Sequence, residues 1–214
     1  MQSERQDPGL LLAELLASRL CHDLSSPLSG LSAALGEVAA DASALDVARE
    51  ATAALGRRLM LLRAAWGMPA ALPAGGLATL AAGLPNAHRI TVELAGGLAD
   101  APLPAVAARL LVNAVMLAAE SLPRDGTVML TGDAAAEIAV RIAGDRAGWP
   151  DRLAAMLAAP AAAWDGLAGG MRSARLQAAV TALLAHQAGA RPRLLLGGSG
   201  AVPPLLFDLR AVAG

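Results

Sequence analysis

Between Pro8 and about Ala40 the apolar residues Ala13, Ala17, Leu20, Leu24, Pro27, Leu31, Ala34 and Val38 follow one another in alternating steps of three and four. That spacing marks one face of a long helix. Leu45, Ala48, Thr52, Leu55, Leu59, Leu62 and Trp66 repeat it after a break of a few residues around Asp41 and Ala42. So short a connection between two long helices dictates an antiparallel hairpin. Ser43 followed by Asp46 resembles a capping box with the shorter acid in third place and sets the start of the second helix. The first helix carries a further stripe, Leu10, Cys21, Leu28 and Leu35, and so has apolar surface on more than one side. Two helices cannot bury both stripes. Pairing two hairpins across a twofold axis does, which predicts a four-helix bundle made by a homodimer.

The pattern stops at Gly67, and the segment GMPAALPAGG is rich in proline and glycine, the composition of a linker. Residues 1–67 are thus expected to form the hairpin domain, 68–76 a linker and 77–214 a second domain. In the last, Arg89 to Leu94 alternates like a half-buried strand, Ala101 to Leu122 reads as a strong helix, and Thr127 to Gly132 reads as a strand after a PRDG turn. Glu137 to Ala143 pairs with that strand as a hairpin. Trp149 to Ala159 and Ser173 to Ala188 read as helices, and RLLLG and PLLFDLR close the chain as strands. The fold class predicted is α+β, a helical hairpin followed by a sheet with helices on one face.

Composition excludes several functions. No stretch reaches the about 20 consecutive apolar residues that cross a bilayer; the best, Leu103 to Leu122, is broken by Arg109, Asn113 and Glu120. The polar start of the chain is unlike a secretory signal, so a cytoplasmic protein is expected. The net charge of −1 gives no general attraction to nucleic acid or an anionic membrane. Aromatic residues make up 2% of the chain, too few for a base-stacking platform. One cysteine, Cys21, forms no internal disulfide, and a lone thiol beside one histidine falls short of a zinc site.

Against this plain background the stretch LCHDLSSPL (Leu20 to Leu28) stands out. At 100° per residue His22 lies about 180° from the midpoint of Leu20 and Leu24, so it points away from the stripe they define. Its helical neighbours are Ser18, Arg19, Ser25 and Ser26, with Ser29 two turns on, a surface of mostly small side chains that another protein can approach. An exposed neutral imidazole keeps one ring nitrogen free as a nucleophile, for which phosphorus is a natural target. Asp23 can orient that ring or take its proton, or can simply be solvated. Pro27 removes the amide that would bond the Asp23 carbonyl, which loosens or kinks the helix one turn after the histidine. Arg19, Ser25, Ser26, Ser29 and, on the second helix, Arg63 are the candidate partner contacts, though each is equally explained as a solvated surface residue. His88 and His186 read as solvated histidines.

CHDLSSPL resembles the H-box of histidine kinase dimerisation domains: His22, Asp23, Leu24, Pro27 and Leu28 all match. The order of elements beyond it is similar to the ATPase domain of those kinases, and LLVNA (Leu110 to Ala114) resembles its N-box, with Asn113 in the magnesium-side position. The rest departs from the pattern. GDRAG (Gly144 to Gly148) keeps Asp145 and Gly148 of the adenine-binding motif but holds Ala147 where a glycine belongs, Leu117 stands where a polar residue is usual, and GLAGG (Gly166 to Gly170) lacks the context of the phosphate-covering loop. The chain therefore resembles the ChpT-like histidine phosphotransferases of bacterial cell-cycle phosphorelays, a kinase scaffold with a degenerate, ATPase-like domain that lacks a complete nucleotide site.

That resemblance implies that His22 accepts a phosphoryl group from the receiver aspartate of a hybrid histidine kinase and passes it to response regulators. It implies no cofactor of the chain's own, no ATP-dependent kinase activity, and Mg2+ held by the partner receiver. Two other readings remain: a histidine kinase core with a divergent ATP site, and a non-catalytic docking protein for receiver domains.

Overall fold

The computed structural model describes residues 7–39, 41–168, 173–195 and 201–212. Helices α1 (Pro8–Glu37) and α2 (Ala44–Trp66) form the antiparallel hairpin. Asp7 starts α1 by accepting from the amides of Gly9 and Leu10, with Pro8 in the first turn, where its missing N–H costs nothing. Pro27 is accommodated inside a continuous helix. The turn into α2 departs from the expected capping box. Ser43 caps nothing; its amide and hydroxyl both donate to the carboxylate of Asp41, at 2.8 Å each. The aspartate two residues earlier satisfies the serine locally and leaves Asp46 free to pair with Arg49.

Beyond the hairpin come β1 (Leu72–Pro73), α3 (Gly76–Ala81), β2 (Ile90–Leu94), β3 (Pro102–Leu103), α4 (Ala105–Glu120), β4 (Gly126–Asp133), β5 (Glu137–Gly144), α5 (Leu153–Ala158), α6 (Pro160–Ala168), α7 (Ser173–Gln187), β6 (Arg191–Leu194) and β7 (Leu205–Asp208). Five strands make one sheet in the order β2-β4-β5-β7-β6. Only β2 and β4 run parallel, as a strand–helix–strand crossover through α4 requires; the other pairs are antiparallel. Val128, Leu130, Ile138, Val140, Leu205 and Phe207 turn their side chains into the core beneath the helices. The chain is thus α+β, a helical hairpin joined to a sheet domain.

Several boundaries moved, each for a local reason. The segment expected to be a linker supplies β1, which pairs with β3, and the first residue of α3. The central helix begins at Ala105 rather than Ala101, because Pro102 and Pro104 hold the residues before them extended. Trp149 to Ala159 is helical only from Leu153: Pro150 and Arg152, whose φ is +68°, block the helix until then. Helix α6, unforeseen, opens on Pro160, a first-turn proline that carried the signal. Of the expected strand RLLLG, Leu196 and Gly197 lie outside the described residues, as do Gly169 and Gly170 of GLAGG.

The hairpin does not stand apart from the sheet domain. Leu61, Leu62 and Ala65 of α2 belong to the same buried cluster as α4 and α7, and Leu11, Leu12, Leu15 and Leu16 of α1 pack against it. This shared core fixes the middle of α1, where His22 sits, against the turn that follows α3. Among the described residues no helix is long and apolar enough to cross a membrane.

Candidate functional site

His22 is exposed, as its angular position on α1 demands. No hydrogen bond from any described residue engages its ring. It stands at the rim of a groove of about 430 Å³ between the hairpin and the turn 82–88, lined by Ser26 and Pro27 on the same helix, by Ala54, Arg57 and Arg58 on α2, and by Gly83, Pro85 and His88 across the gap. A second hollow of about 340 Å³, which also borders His22, reaches Asn86 and Glu120.

The residue beside it behaves differently from the expectation. Asp23 is neither solvated nor free: its carboxylate is 8% exposed, and Oδ2 accepts from Arg19 Nε at 3.0 Å and from Arg58 Nη2 at 2.5 Å. Arg19, expected at the surface as a partner contact, is buried at 9% exposure, where its Nη2 pairs with Glu120 at the end of α4. The helical count put it beside His22 correctly, but α4 was not in view, and its terminal carboxylate draws the guanidinium inward. Arg58, which sequence reasoning missed, is buried too; its Nη1 donates to the carbonyl of Gly83 at 3.0 Å. Two arginines and two acids therefore form one compact network that joins α1, α2, α4 and the turn 82–88.

The four charges do not share burial equally. Burial pushes the Glu120 carboxyl above the usual glutamate range, with Arg19 opposing, and its buried Oε2 has no hydrogen-bond partner among the described residues. Burial likewise lowers the Arg58 guanidinium despite Asp23. For Arg19 burial also pulls downward, but the combined pull of Glu120 and Asp23 prevails and leaves it raised. Both guanidiniums reach the same oxygen of Asp23, which ties the helical turn carrying His22 to α2.

The remaining candidates separate. Ser26 shares the groove with His22, whereas Ser25 returns its hydroxyl to the Cys21 carbonyl at 2.7 Å. Ser25, Ser29 and Arg63 are exposed and are not among the residues lining the groove. His88, read as merely solvated, lines the same groove, as does Arg57. No sequence spacing links residue 88 to residue 22; only the packing of α3 on α2 does.

Asn113 and Asp145, the residues resembling nucleotide-site positions, do not come together. Asn113 is fully buried: its Nδ2 donates to the carbonyls of Ala65 and Arg109, both at 2.9 Å, and its Oδ1 accepts from Trp66 Nε1 at 3.2 Å and Gln177 Nε2 at 3.0 Å. The indole of Trp66 and the side chains of α7 occupy the space around it. Asp145 is at the surface, paired with Arg124 at 2.7 Å.

The fold and this site define a class of protein with an exposed histidine on a helical hairpin and a sheet domain whose buried asparagine serves packing. Residues 75–197 match the family model of the histidine phosphotransferase C-terminal domain, and the chain belongs to that family. Among solved structures it is similar to a bacterial phosphotransferase, at 23% identity and a TM-score of 0.66, over 93% of this chain and 95% of that one. Other similar structures are a histidine kinase from Burkholderia phymatum STM815 (20% identity, 94% and 93% covered, TM-score 0.38) and the histidine kinase domain of a blue-light activated histidine kinase from Erythrobacter litoralis EL346 (17%, 95% and 94%, TM-score 0.42). A comparison with curated proteins returned no match.

Proposed function

We propose that the protein is a phosphorelay intermediate in which His22 takes a phosphoryl group from the receiver aspartate of a hybrid histidine kinase and delivers it to the receivers of response regulators. The observation that carries the reading is the exposed imidazole, to which no described residue hydrogen-bonds, on a helical turn braced from beneath by buried ion pairs. In the forward step the unprotonated ring nitrogen attacks phosphorus, a P–N bond forms, and the P–O bond to the receiver carboxylate breaks, the carboxylate leaving with the electron pair. Reversal with a second receiver returns the phosphoryl group to oxygen. Such transfers depend on in-line positioning and on charge stabilisation, and the Mg2+ for the latter is expected in the receiver.

The burial of Asn113 among Trp66, Gln177 and Thr181 supports a relay over a kinase with its own ATP site. Asp23 is the positioning residue of the site, Ser26 and the outer serines Ser25 and Ser29 are the surface the receiver approaches, and Arg63 lies at its edge. Two hairpins pair as a homodimer.

The test is to mix the protein with a receiver domain carrying labelled aspartyl phosphate. Label is expected on the wild type and absent from His22→Ala, and labelled ATP alone is expected to leave the wild type unlabelled. Equal labelling of His22→Ala would overturn the reading, and labelling by ATP alone would return the protein to the kinases.

A further inference from the structure

A phosphoryl group on His22 brings about −1.5 to −2 charges to a surface where there was none. The arginines nearest in sequence are already committed. Arg58 is divided between Asp23 and the Gly83 carbonyl, and Arg19 bridges Asp23 and Glu120, so both guanidiniums are engaged within the buried network. Any charge compensation within the chain must come from elsewhere, and the groove beside His22 supplies it.

We propose that this groove is an anion pocket that holds the phosphoryl group once it is on His22, with Arg57 as its cationic ligand and the His88 ring and the Ser26 hydroxyl as further donors. The inference rests on the reading of His22 as the phosphoryl carrier. Among the described residues Arg57 pairs with Glu50 at 2.6 Å, in an ion pair whose side chains are 42% and 71% exposed. Exposed pairs of this kind contribute little, so the guanidinium exchanges Glu50 for a dianion at small cost. His88 is exposed on the opposite wall, and Ser26 lies one helical turn beyond His22.

The wall that carries His88 is built to stay in place. Gly83 sits so close to the Arg57 carbonyl and to Leu61 that no Cβ would fit, and its own carbonyl is held by the buried Arg58. One pair of neighbouring arginines thus divides the work, Arg58 fixing the far wall and Arg57 facing the opening. The pocket needs both halves of the fold, since His22, Ser26 and Arg57 come from the hairpin and His88 from the sheet domain.

The experiment loads the full chain from phosphoramidate, which requires no receiver, and follows the product by NMR. On loading, the Arg57 Nε–H and His88 ring resonances are expected to shift in the wild type and to stay in place in His22→Ala. In exchange with a receiver domain, Arg57→Gln and His88→Gln are each expected to lower the equilibrium fraction of phosphoryl on His22 by about tenfold, the scale of one hydrogen bond to a charged group. Arg57→Lys should restore most of it. Both positions are at the surface, so unchanged melting temperatures verify folding. A wild type that loads at His22 while these resonances and equilibria stay unchanged would sink the pocket and leave the carrier standing; a wild type that does not load at His22 ends both.

Discussion

Arg58 Nη2 and Asp23 Oδ2 lie 2.5 Å apart across the hairpin, in side chains that are 6% and 8% exposed. The same guanidinium reaches the Gly83 carbonyl, so the residue next to His22 is tied, through one side chain, to the turn that follows α3. The orientation of the candidate nucleophile and the seating of the sheet domain are therefore one structural problem.

Removing the carboxylate exposes the cost of that arrangement. Asp23→Ala takes the carboxylate from the buried Arg58 guanidinium, which keeps the Gly83 carbonyl, and from Arg19, which keeps Glu120, and losing one partner of a buried pair typically costs about 3–5 kcal/mol. His22→Ala, on the exposed face of the same turn, is expected to change stability by no more than about 0.5 kcal/mol. Urea denaturation of the two variants beside the wild type measures both. Near-equal stabilities would show that Asp23 does not brace the turn.

Glu120 makes stability depend on pH in a defined sense. Burial raises its pKa in the folded protein above the unfolded value of about 4.5, so the folded state holds this proton more tightly. Its favourable contribution is therefore complete below the unfolded value and is lost as pH rises through the raised one. Glu120→Gln removes that titration while keeping an acceptor for Arg19; Arg19, Asp23 and Arg58 face the site in both proteins. The stability of the variant relative to wild type should thus climb as pH rises from about 4.5 and then level off. A difference that is flat or falls over that range contradicts the assignment.

Asn113 should matter for folding and not for chemistry. Its side chain satisfies the Ala65 and Arg109 carbonyls, Trp66 Nε1 and Gln177 Nε2 in a fully buried setting. Asn113→Ala strands several of these groups, each at about 1–3 kcal/mol, so a large loss of stability is expected in thermal unfolding. At a temperature where the variant remains folded, its rate of phosphoryl acceptance from a phosphorylated receiver should match the wild type. A strong loss of that rate in the folded variant would give Asn113 a direct part in the site.

How far the sequence reached depended on the range of the interaction. The helical period is a local property, and it placed both hairpin helices and the outward face of His22 correctly. The alternating strands were equally legible, because residues 127–132 and 137–143 bury one face each. Arg19 was not, since its burial is decided by Glu120, 101 residues away. Arg58 and His88 were invisible for the same reason: Arg58 joins the site through the packing of α2 on α1, and His88 through the packing of α3 against α2. Ser43 and Asp41 failed at shorter range, where two local hydrogen-bond patterns competed and composition could not choose between them.

The final prediction concerns the stripe that the sequence left without a partner. Leu28 and Leu35 on α1 and Leu45 and Leu59 on α2 remain 40–56% exposed, and the first three of these leucines cluster toward the hairpin's closed end. Each leucine, already about half buried, recovers about 1 kcal/mol on full burial, and pairing this face with a second copy repeats the gain on both hairpins. We expect the wild type to run as a dimer in light scattering, and Leu28→Glu and Leu35→Glu, which place charges where the twofold interface would lie, to be monomers with intact secondary structure. Neither leucine touches the groove beside His22, so phosphoramidate loading should survive in the monomeric variants. A wild type that is monomeric at tens of micromolar, or variants that remain dimeric, would mean that this face does not join two hairpins.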